Sequence, residues 1–472
     1  MVEKLEESRM AQGTGPLDEP GRSTPVLGEY EVVVLGGGPA GVMAATAAAR
    51  SGRSTILVER YGFCGGAGSA GGLSTFCGLH ANVHGEHRQV VHGLADELLE
   101  RVDRLEGLNA AHLSFANRIL AQAYDISAYK IAIDDLLVDA GVKILFHALG
   151  VGVMMRDEQN VHALLVESKS GRGAIVGKVF IDCSGDGDLA AWAGAPYEKT
   201  DNAAGMMYPS LMFRINGVDA AAAGEAWAAL PALMDEAESS GRYRFARKRP
   251  IVRPQRNPLE WRANLTQISN PDGSAVDGTD VEQLSFGELQ GRRQVRDTFP
   301  FFRESVPGFA DSYVVDIAPA IGIRETRRIV GDYQLSEDDI LDCVDFEDTI
   351  GVNGWPVEAH VAGDVEIRWP RGENPRGFNQ IPFRVIVPRK LLNLYVAGRC
   401  ASMTHEGQSS ARVTGPCFVM GQAAGTAADL ALAGSVACGD IDVPELQRRL
   451  EKDGAYLGYP AAGAGAGKEA LS

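Results

Sequence analysis

Apolar and polar positions fall into two rhythms along the first 200 residues: short unbroken apolar runs, and longer stretches with helical spacing. An apolar run bounded by glycine predicts a strand buried on both faces, and apolar positions three or four apart predict a helix packed by one side. The first strand is expected at Glu31 to Leu35, followed by a glycine turn and a small-residue helix to about Ser51. A second strand, Ser54 to Glu59, follows Gly52. A helix is expected over Ile126 to Ala140, ended by Gly141, and then KILFHA reads as a short buried strand. Gly150 to Met155, Val161 to Glu167 and Ala174 to Asp182 are β-rich. The rhythm is lost from about 200 to 390, where most Pro-rich and Arg-rich segments lie. It returns with NLYVAG and a long helix of small residues. This order predicts an α/β protein: a Rossmann-type domain from 29–200 and 391–455, with an α+β substrate domain inserted at 201–390. Residues 1–28 and 456–472 lack apolar periodicity and are expected to be disordered tails.

Composition narrows the class. The 472 residues are 45% hydrophobic and 23% charged, as in soluble globular proteins. Lys and Arg number 45 against 62 Asp and Glu, a net charge of −17, which argues against nucleic acid or an anionic membrane as a general partner. An anionic small-molecule substrate stays compatible, because a local cluster of arginines outweighs a distant field. The opening MVEKLEESRM lacks the apolar core of a signal peptide, and no run approaches membrane-helix length, so a cytoplasmic protein is expected. The 7 cysteines have no C-x-x-C spacing, and reduced thiols are the expectation.

The strongest local signal is EVVVLGGGPAGVMAATAAARSGRSTILVER. Gly36, Gly38 and Gly41 form G-x-G-x-x-G between a strand and a helix, with Pro39 and Ala40 opening the helix. The first glycine permits the tight turn, the second lets the backbone approach a pyrophosphate, and the third lets helix and strand pack closely. The helix N-terminus then offers free N–H groups to phosphates. Glu59 lies at the end of the second strand, where a carboxylate can accept hydrogen bonds from both ribose hydroxyls. The next stretch, RYGFCGGAGSAGG, begins with Arg60. Its Gly65 and Gly66 would let a loop lie along an extended cofactor, although a flexible surface loop would read the same way.

Two later stretches carry a family resemblance. IDCSGDGDLAAWAGAP, with Ser184, Gly185 and Asp186, resembles the second conserved stretch of glutathione-reductase-type flavoproteins. NLYVAGRCASMTHEGQSSARVTGPCFVMGQAAGTAADLA, with Gly398, Arg399, Arg412 and Val413, resembles their C-terminal flavin motif. IGIRETRRIVGDYQLSEDDI looks like a further hallmark. Together they resemble the FAD-dependent oxidoreductase family of the glutathione-reductase-2 structural class over nearly all of residues 30–435. The resemblance implies an FAD-binding Rossmann-type domain, with the C-terminal helix pointing its positive end at the flavin. One departure is Arg399, where that class commonly has Asp; a cation there could pair with pyrophosphate.

For catalysis, His405 precedes the helix expected to face the flavin and is a candidate acid–base group; a packing or capping role is the plainer reading. If IGIRETRR is helical, Arg324 shares a face with Arg327 or Arg328 and could hold a substrate carboxylate or the flavin C2 carbonyl. Salt bridges to Glu325, Glu337, Asp338 or Asp339 would be the structural alternative. The basic run Arg242 to Arg262 reads as a solvated rim or homo-oligomer contact, with an anion-binding entrance as a minor alternative. Cys64 and Cys77 lack the short spacing of a flavin-linked disulfide. His80, His84, His87 and His92 lack a metal-ligand pattern, so no metal is expected.

No second G-x-G-x-x-G follows a strand, which disfavours a stably bound NAD(P)H. The leading expectation is a dehydrogenase or oxidase passing hydride from a small organic substrate to flavin N5, with oxygen or a separate carrier as electron acceptor. A single-component monooxygenase or ene-reductase using NAD(P)H transiently is the alternative. A flavin halogenase is disfavoured because W-x-W-x-I-P is absent. A non-enzymatic binding protein on the same fold, as among GDP-dissociation-inhibitor relatives, is a remote third.

Overall fold

The computed structural model describes residues 17–202 and 205–458, so the expected tails at 1–16 and 459–472 lie outside the described residues. The first strand, β1 (Val26–Leu35), starts before the expected Glu31, and residues 26–28 are strand rather than tail. Several of its early side chains are exposed, so their pattern carries no strand signal. What defines this part is a parallel ladder to residues 174–177. Val32, Val33, Val34 and Leu35 are all buried, as a strand covered on both faces requires.

The glycine turn leads into α1 (Pro39–Arg50), with Pro39 in the first turn, where its missing N–H leaves no bond unmade. Strand β2 (Thr55–Val58) follows; then α2 (Ile126–Asp139), capped by Asp125 accepting the Ala128 N–H, leads into β3 (Lys143–Leu145). A meander of β4 (Leu149–Met155), β5 (Val161–Ser168) and β6 (Gly171–Asp182) completes the order β3-β2-β1-β6-β5-β4.

A second apolar core is built from residues 211–323. Strands β7 (Phe213–Asn216), β8 (Ile251–Pro254) and β9 (Trp261–Asn264) pack with the long helix α3 (Val281–Ser305) and β10 (Tyr313–Ile317). Their sheet is antiparallel in the order β8-β9-β7-β10. Trp261 meets Phe309 edge-on with ring centres 5.2 Å apart, within a core that also buries Phe301 and Phe302. A hairpin, β11 (Val357–Val361) and β12 (Asp364–Arg368), follows later in the chain.

The chain then re-enters the first sheet. Strand β13 (Leu394–Val396) pairs in parallel with the end of β6, and α4 (His405–Ala411) and α5 (Thr414–Gly434) follow. A Cβ on Gly421 would lie 2.1 Å from the Ala40 carbonyl, and one on Gly425 2.2 Å from that of Ala44, so α5 can press onto α1 only through glycine. Leu35, Val58, Asp182 and Val396 align at the carboxyl ends of β1, β2, β6 and β13. In open parallel sheets this edge is where ligands bind. No helix among the described residues is long and apolar enough to cross a membrane.

Candidate active site and cofactor cradle

The glycine turn sits on that edge. Gly36 has φ +98°, and a Cβ there would lie 2.4 Å from the Cys183 carbonyl oxygen, so both backbone and space require glycine. A Cβ on Gly41 would lie 1.8 Å from the Gly36 carbonyl oxygen. Gly38 differs: the nearest atom to a Cβ there is 3.9 Å away, so the turn is open on that side and leaves room for a phosphate at the start of α1. The Gly65 N–H donates to the Gly37 carbonyl at 2.7 Å, which folds the loop containing Gly65 and Gly66 against the turn.

Glu59 is buried at the end of β2 and accepts the Gly37 N–H (2.7 Å) on one oxygen and the Tyr61 N–H (2.9 Å) on the other. Burial pushes its carboxyl above the ordinary range, against these hydrogen bonds. Each oxygen keeps a lone pair for a ligand hydroxyl. Arg60, exposed beside it, is within charge range of Glu59, Asp186 and Asp188.

The second stretch lines the same edge. Ser184 lies against Gly36 and donates its hydroxyl to Asp182 at 2.6 Å. Gly185 has φ +79° and leads to Asp186, which accepts from Thr326 (2.9 Å) and from Nη2 of Arg399 (2.8 Å). The other terminal nitrogen of Arg399 donates to the Ile323 carbonyl at 2.7 Å, so this cation is engaged by Asp186 and by the backbone. Gly398, next to it, faces Ala40 at the start of α1. The Gly415 N–H, in the first turn of α5, donates to the Cys77 carbonyl, which docks the helix start beside Arg412 and Val413 on residues 77–78. Gln408, fully buried on α4, donates to the Arg399 carbonyl at 2.8 Å, while its own oxygen has no partner.

His405 is the first residue of α4. Its Nδ1 lies 2.9 Å from Oε1 of Glu325 and 3.2 Å from the Thr200 hydroxyl. Glu325 is buried and also accepts from Arg328 at 2.5 Å and from the Met207 N–H at 3.0 Å. Burial opposes its charge, yet the bonds to His405, Thr200 and Met207 hold its carboxyl below the ordinary range. Residues 321–327 are not helical, so Arg324 and Arg327 do not share a helix face. Gly322 instead forms a bridge to Ser210. Arg324 donates to the Tyr208 carbonyl (2.6 Å) and the Ser210 hydroxyl (2.8 Å), whereas Arg327 donates to the Asp186 carbonyl (3.0 Å) and to Asp188 (2.8 Å). Glu325, expected only as a salt-bridge partner, is the residue that sequence reasoning missed. Its signal is an acid flanked by three arginines in IGIRETRR.

The basic run is not a solvated rim throughout. Arg242, Arg244, Arg249 and Arg256 are exposed, but Arg247 and Arg262 are buried. All seven cysteines are free thiols, and no metal-ligating cluster of His, Cys, Asp or Glu occurs among the described residues. Two concavities, of about 420 Å³ beside Arg53 and Cys438 and about 230 Å³ beside His80 and Trp369, contain none of the cradle residues.

An open phosphate turn, a buried acid at the second strand and the return of the chain to the same sheet edge fit a flavin dinucleotide, and they define a Rossmann-type flavoenzyme. The family model of the FAD-dependent oxidoreductases matches residues 31–450, and the chain belongs to that family. Its cofactor is FAD, and it is an oxidoreductase. Among solved structures it is similar to a p-nitrophenol 4-monooxygenase from Pseudomonas putida, at 12% identity and TM-score 0.48, over 91% of this chain and 87% of that one. It is also similar to a geranylgeranyl bacteriochlorophyll reductase-like protein from Thermoplasma acidophilum, at 13% identity and TM-score 0.45, over 90% and 82%. An L-proline dehydrogenase from P. horikoshii gives 11% identity and TM-score 0.40, over 91% and 99%. No curated protein matches the chain in sequence.

Proposed function

We propose that the protein is a dehydrogenase or oxidase of a small organic substrate, with His405 as its acid–base group and Glu325 as the residue that positions it. The observation that carries this reading is the 2.9 Å contact between His405 Nδ1 and a carboxylate buried beneath it. With Glu325 ionised, the Nδ1 proton is donated to Oε1, which leaves Nε2 free to accept a proton. FAD, when bound, supplies a two-electron acceptor at N5 and passes the electrons to oxygen or a separate carrier. His405 takes the proton of the substrate O–H or N–H while the adjacent C–H leaves as hydride, so proton and electron pair are both accounted for.

In this reading Gly36 to Gly41 and the start of α1 hold the pyrophosphate, and Glu59 holds the adenosine ribose. Arg412 and Val413 stand at the flavin end, and Arg327 fixes the strap between Asp186 and Asp188. Arg324 faces the substrate. The re-entry of β13 and the seating of α5 on α1 support placing the chain in the glutathione-reductase-2 structural class. The acidic net charge supports a protein without nucleic-acid partners.

His405→Gln tests the reading. FAD binding should be unchanged, while flavin reduction by substrate should slow about 10²-fold or more. Full reductive rate in the variant would remove His405 from the chemistry.

A further inference from the structure

Arg247 is only 2% exposed, and both its Nε and Nη1 are buried without a hydrogen-bond partner. The next residue, Lys248, donates its backbone N–H to the Gly363 carbonyl at 2.9 Å, which fastens this segment to the hairpin of β11 and β12. Strand β11 carries two buried ionisable residues, Glu358 and His360. Arg324 reaches the same strand through one intermediary: it donates to the Tyr208 carbonyl at 2.6 Å, and the Tyr208 N–H donates to the His360 carbonyl at 3.0 Å. Arg412 reaches the strand too, with Nη2 at 3.5 Å from the Glu358 carbonyl and a buried Nε that has no partner.

Charge does not balance in this cluster. Arg324 feels Arg412 and Arg247 as like charges and Glu358 as an opposite one. Glu358 is already committed, accepting the Trp355 indole N–H at 3.0 Å and lying 3.5 Å from His360 Nε2. Asp364, within range of Arg247, is paired with Arg249 at 3.1 Å. Glu325, within range of Arg412, is paired with Arg328 and His405. His360 is driven towards its neutral form by burial and by the charges of Arg324 and Arg247, so it adds no further positive charge and neutralises none. Three buried guanidinium groups therefore lie within charge range of the one carboxylate of Glu358. Buried cations left in that state strongly destabilise a fold, and an incoming anion relieves the imbalance.

We propose that Arg247, Arg324 and Arg412 seat the carboxylate of the substrate, which makes the enzyme one that acts on an organic acid. A carboxylate presents two oxygens in the plane of a guanidinium fork and suits the nitrogens that Arg247 and Arg412 each leave without a partner. Arg324, held by Tyr208 and Ser210, completes the seat without moving. The proposal rests on the oxidoreductase reading above only in naming the anion as the substrate's own.

The test is a calorimetric titration of the FAD-loaded protein with sodium malonate at constant ionic strength, beside neutral malonamide and inorganic phosphate. Saturable binding of malonate, none of malonamide, and at least tenfold weaker malonate binding by Arg247→Met are expected. Because Arg247→Met also removes an unpaired buried charge, it should melt at a higher temperature than the unaltered protein in buffer without carboxylates. The proposal is overturned if the unaltered protein does not discriminate malonate from malonamide, or if phosphate binds and malonate does not. Arg247→Met binding malonate with unchanged affinity would overturn it too. Should that variant fail to fold, the comparison of ligands on the unaltered protein decides alone. The titration is an equilibrium measurement independent of turnover. Malonate binding without flavin bleaching by any acid would leave the seat standing and overturn the dehydrogenase reading. Bleaching by neutral alcohols without malonate binding would do the reverse.

Discussion

Glu59→Gln perturbs the cradle at a buried charge. One carboxylate oxygen accepts the Gly37 N–H at 2.7 Å and the other the Tyr61 N–H at 2.9 Å. Glutamine keeps one of these acceptors and turns the other into an NH₂ group facing a backbone N–H, donor against donor. One unpaired buried N–H costs about 1–3 kcal/mol, but free and FAD-bound protein share that cost, so it lowers stability more than affinity. Affinity follows the ribose. Two charge-assisted hydrogen bonds of about 1.5–3 kcal/mol each are replaced by one weaker neutral bond, a net loss of about 3 kcal/mol. This corresponds to a dissociation constant weaker by about a hundredfold. The assay is titration of the apoprotein with FAD, followed by flavin fluorescence, with FMN as the control that lacks the adenosine ribose. Unchanged FAD affinity, or an equal loss for FMN and FAD, would refute the placement. The pH dependence has a definite sign as well. Burial raises the folded-state pKa of Glu59, so its ionisation opposes folding increasingly as pH rises from its unfolded to its folded pKa. FAD affinity, which uses the ionised form, should strengthen over the same rise.

Other consequences are independent of the cofactor. Gly425→Leu places a side chain where a Cβ alone would lie 2.2 Å from the Ala44 carbonyl, so α5 must lift from α1. A stability loss of about 1–3 kcal/mol or more is expected in urea unfolding, and an unchanged midpoint would contradict the packing. Glu97 pairs with Arg50 at 2.6 Å and Arg101 at 2.8 Å, and the Arg50 hydrogen bond leads the effects that hold its carboxyl down to about 2. Its contribution, about 1 kcal/mol after solvent screening, is present at neutral pH and lost as pH falls from its ordinary 4.5 towards about 2. Glu97→Gln should therefore be less stable than the unaltered protein near pH 7. The difference should close in acid, and a constant difference would be the contrary result.

The turn and the acid proposed to hold the adenosine end were legible as structure because they lie close together in the chain. A glycine turn, a helix start and an acid at the next strand all fall within residues 31–59, where spacing alone fixes their relation. The start of β1 was not legible, since Val26 and Leu27 are exposed and the strand is held there by pairing of Val26 with Ala174 and Gly28 with Ile175 rather than by burial. The 321–327 segment carries helix-compatible residues, but Gly322 bridges to Ser210 and long-range hydrogen bonds decide its shape. Glu325 joins His405 across 80 positions of sequence, and the segment carrying Arg247 is fastened to the turn between β11 and β12 by the Lys248 N–H and the Gly363 carbonyl; no local pattern records either meeting. Within the basic run, the alternation of buried Phe245 and Arg247 with exposed Arg244 and Lys248 was the signal available, and the density of charge concealed it.

Electrons are expected to enter from a small organic substrate and not from a nicotinamide. The most direct test mixes the purified FAD-loaded protein anaerobically with NADH, NADPH and a panel of small organic acids, alcohols and amines while recording the visible flavin band. An acid should bleach the flavin, and neither nicotinamide should do so on the same timescale. Rapid bleaching by NADH or NADPH, with no response to the panel, would contradict that expectation and assign the protein to the monooxygenases or reductases.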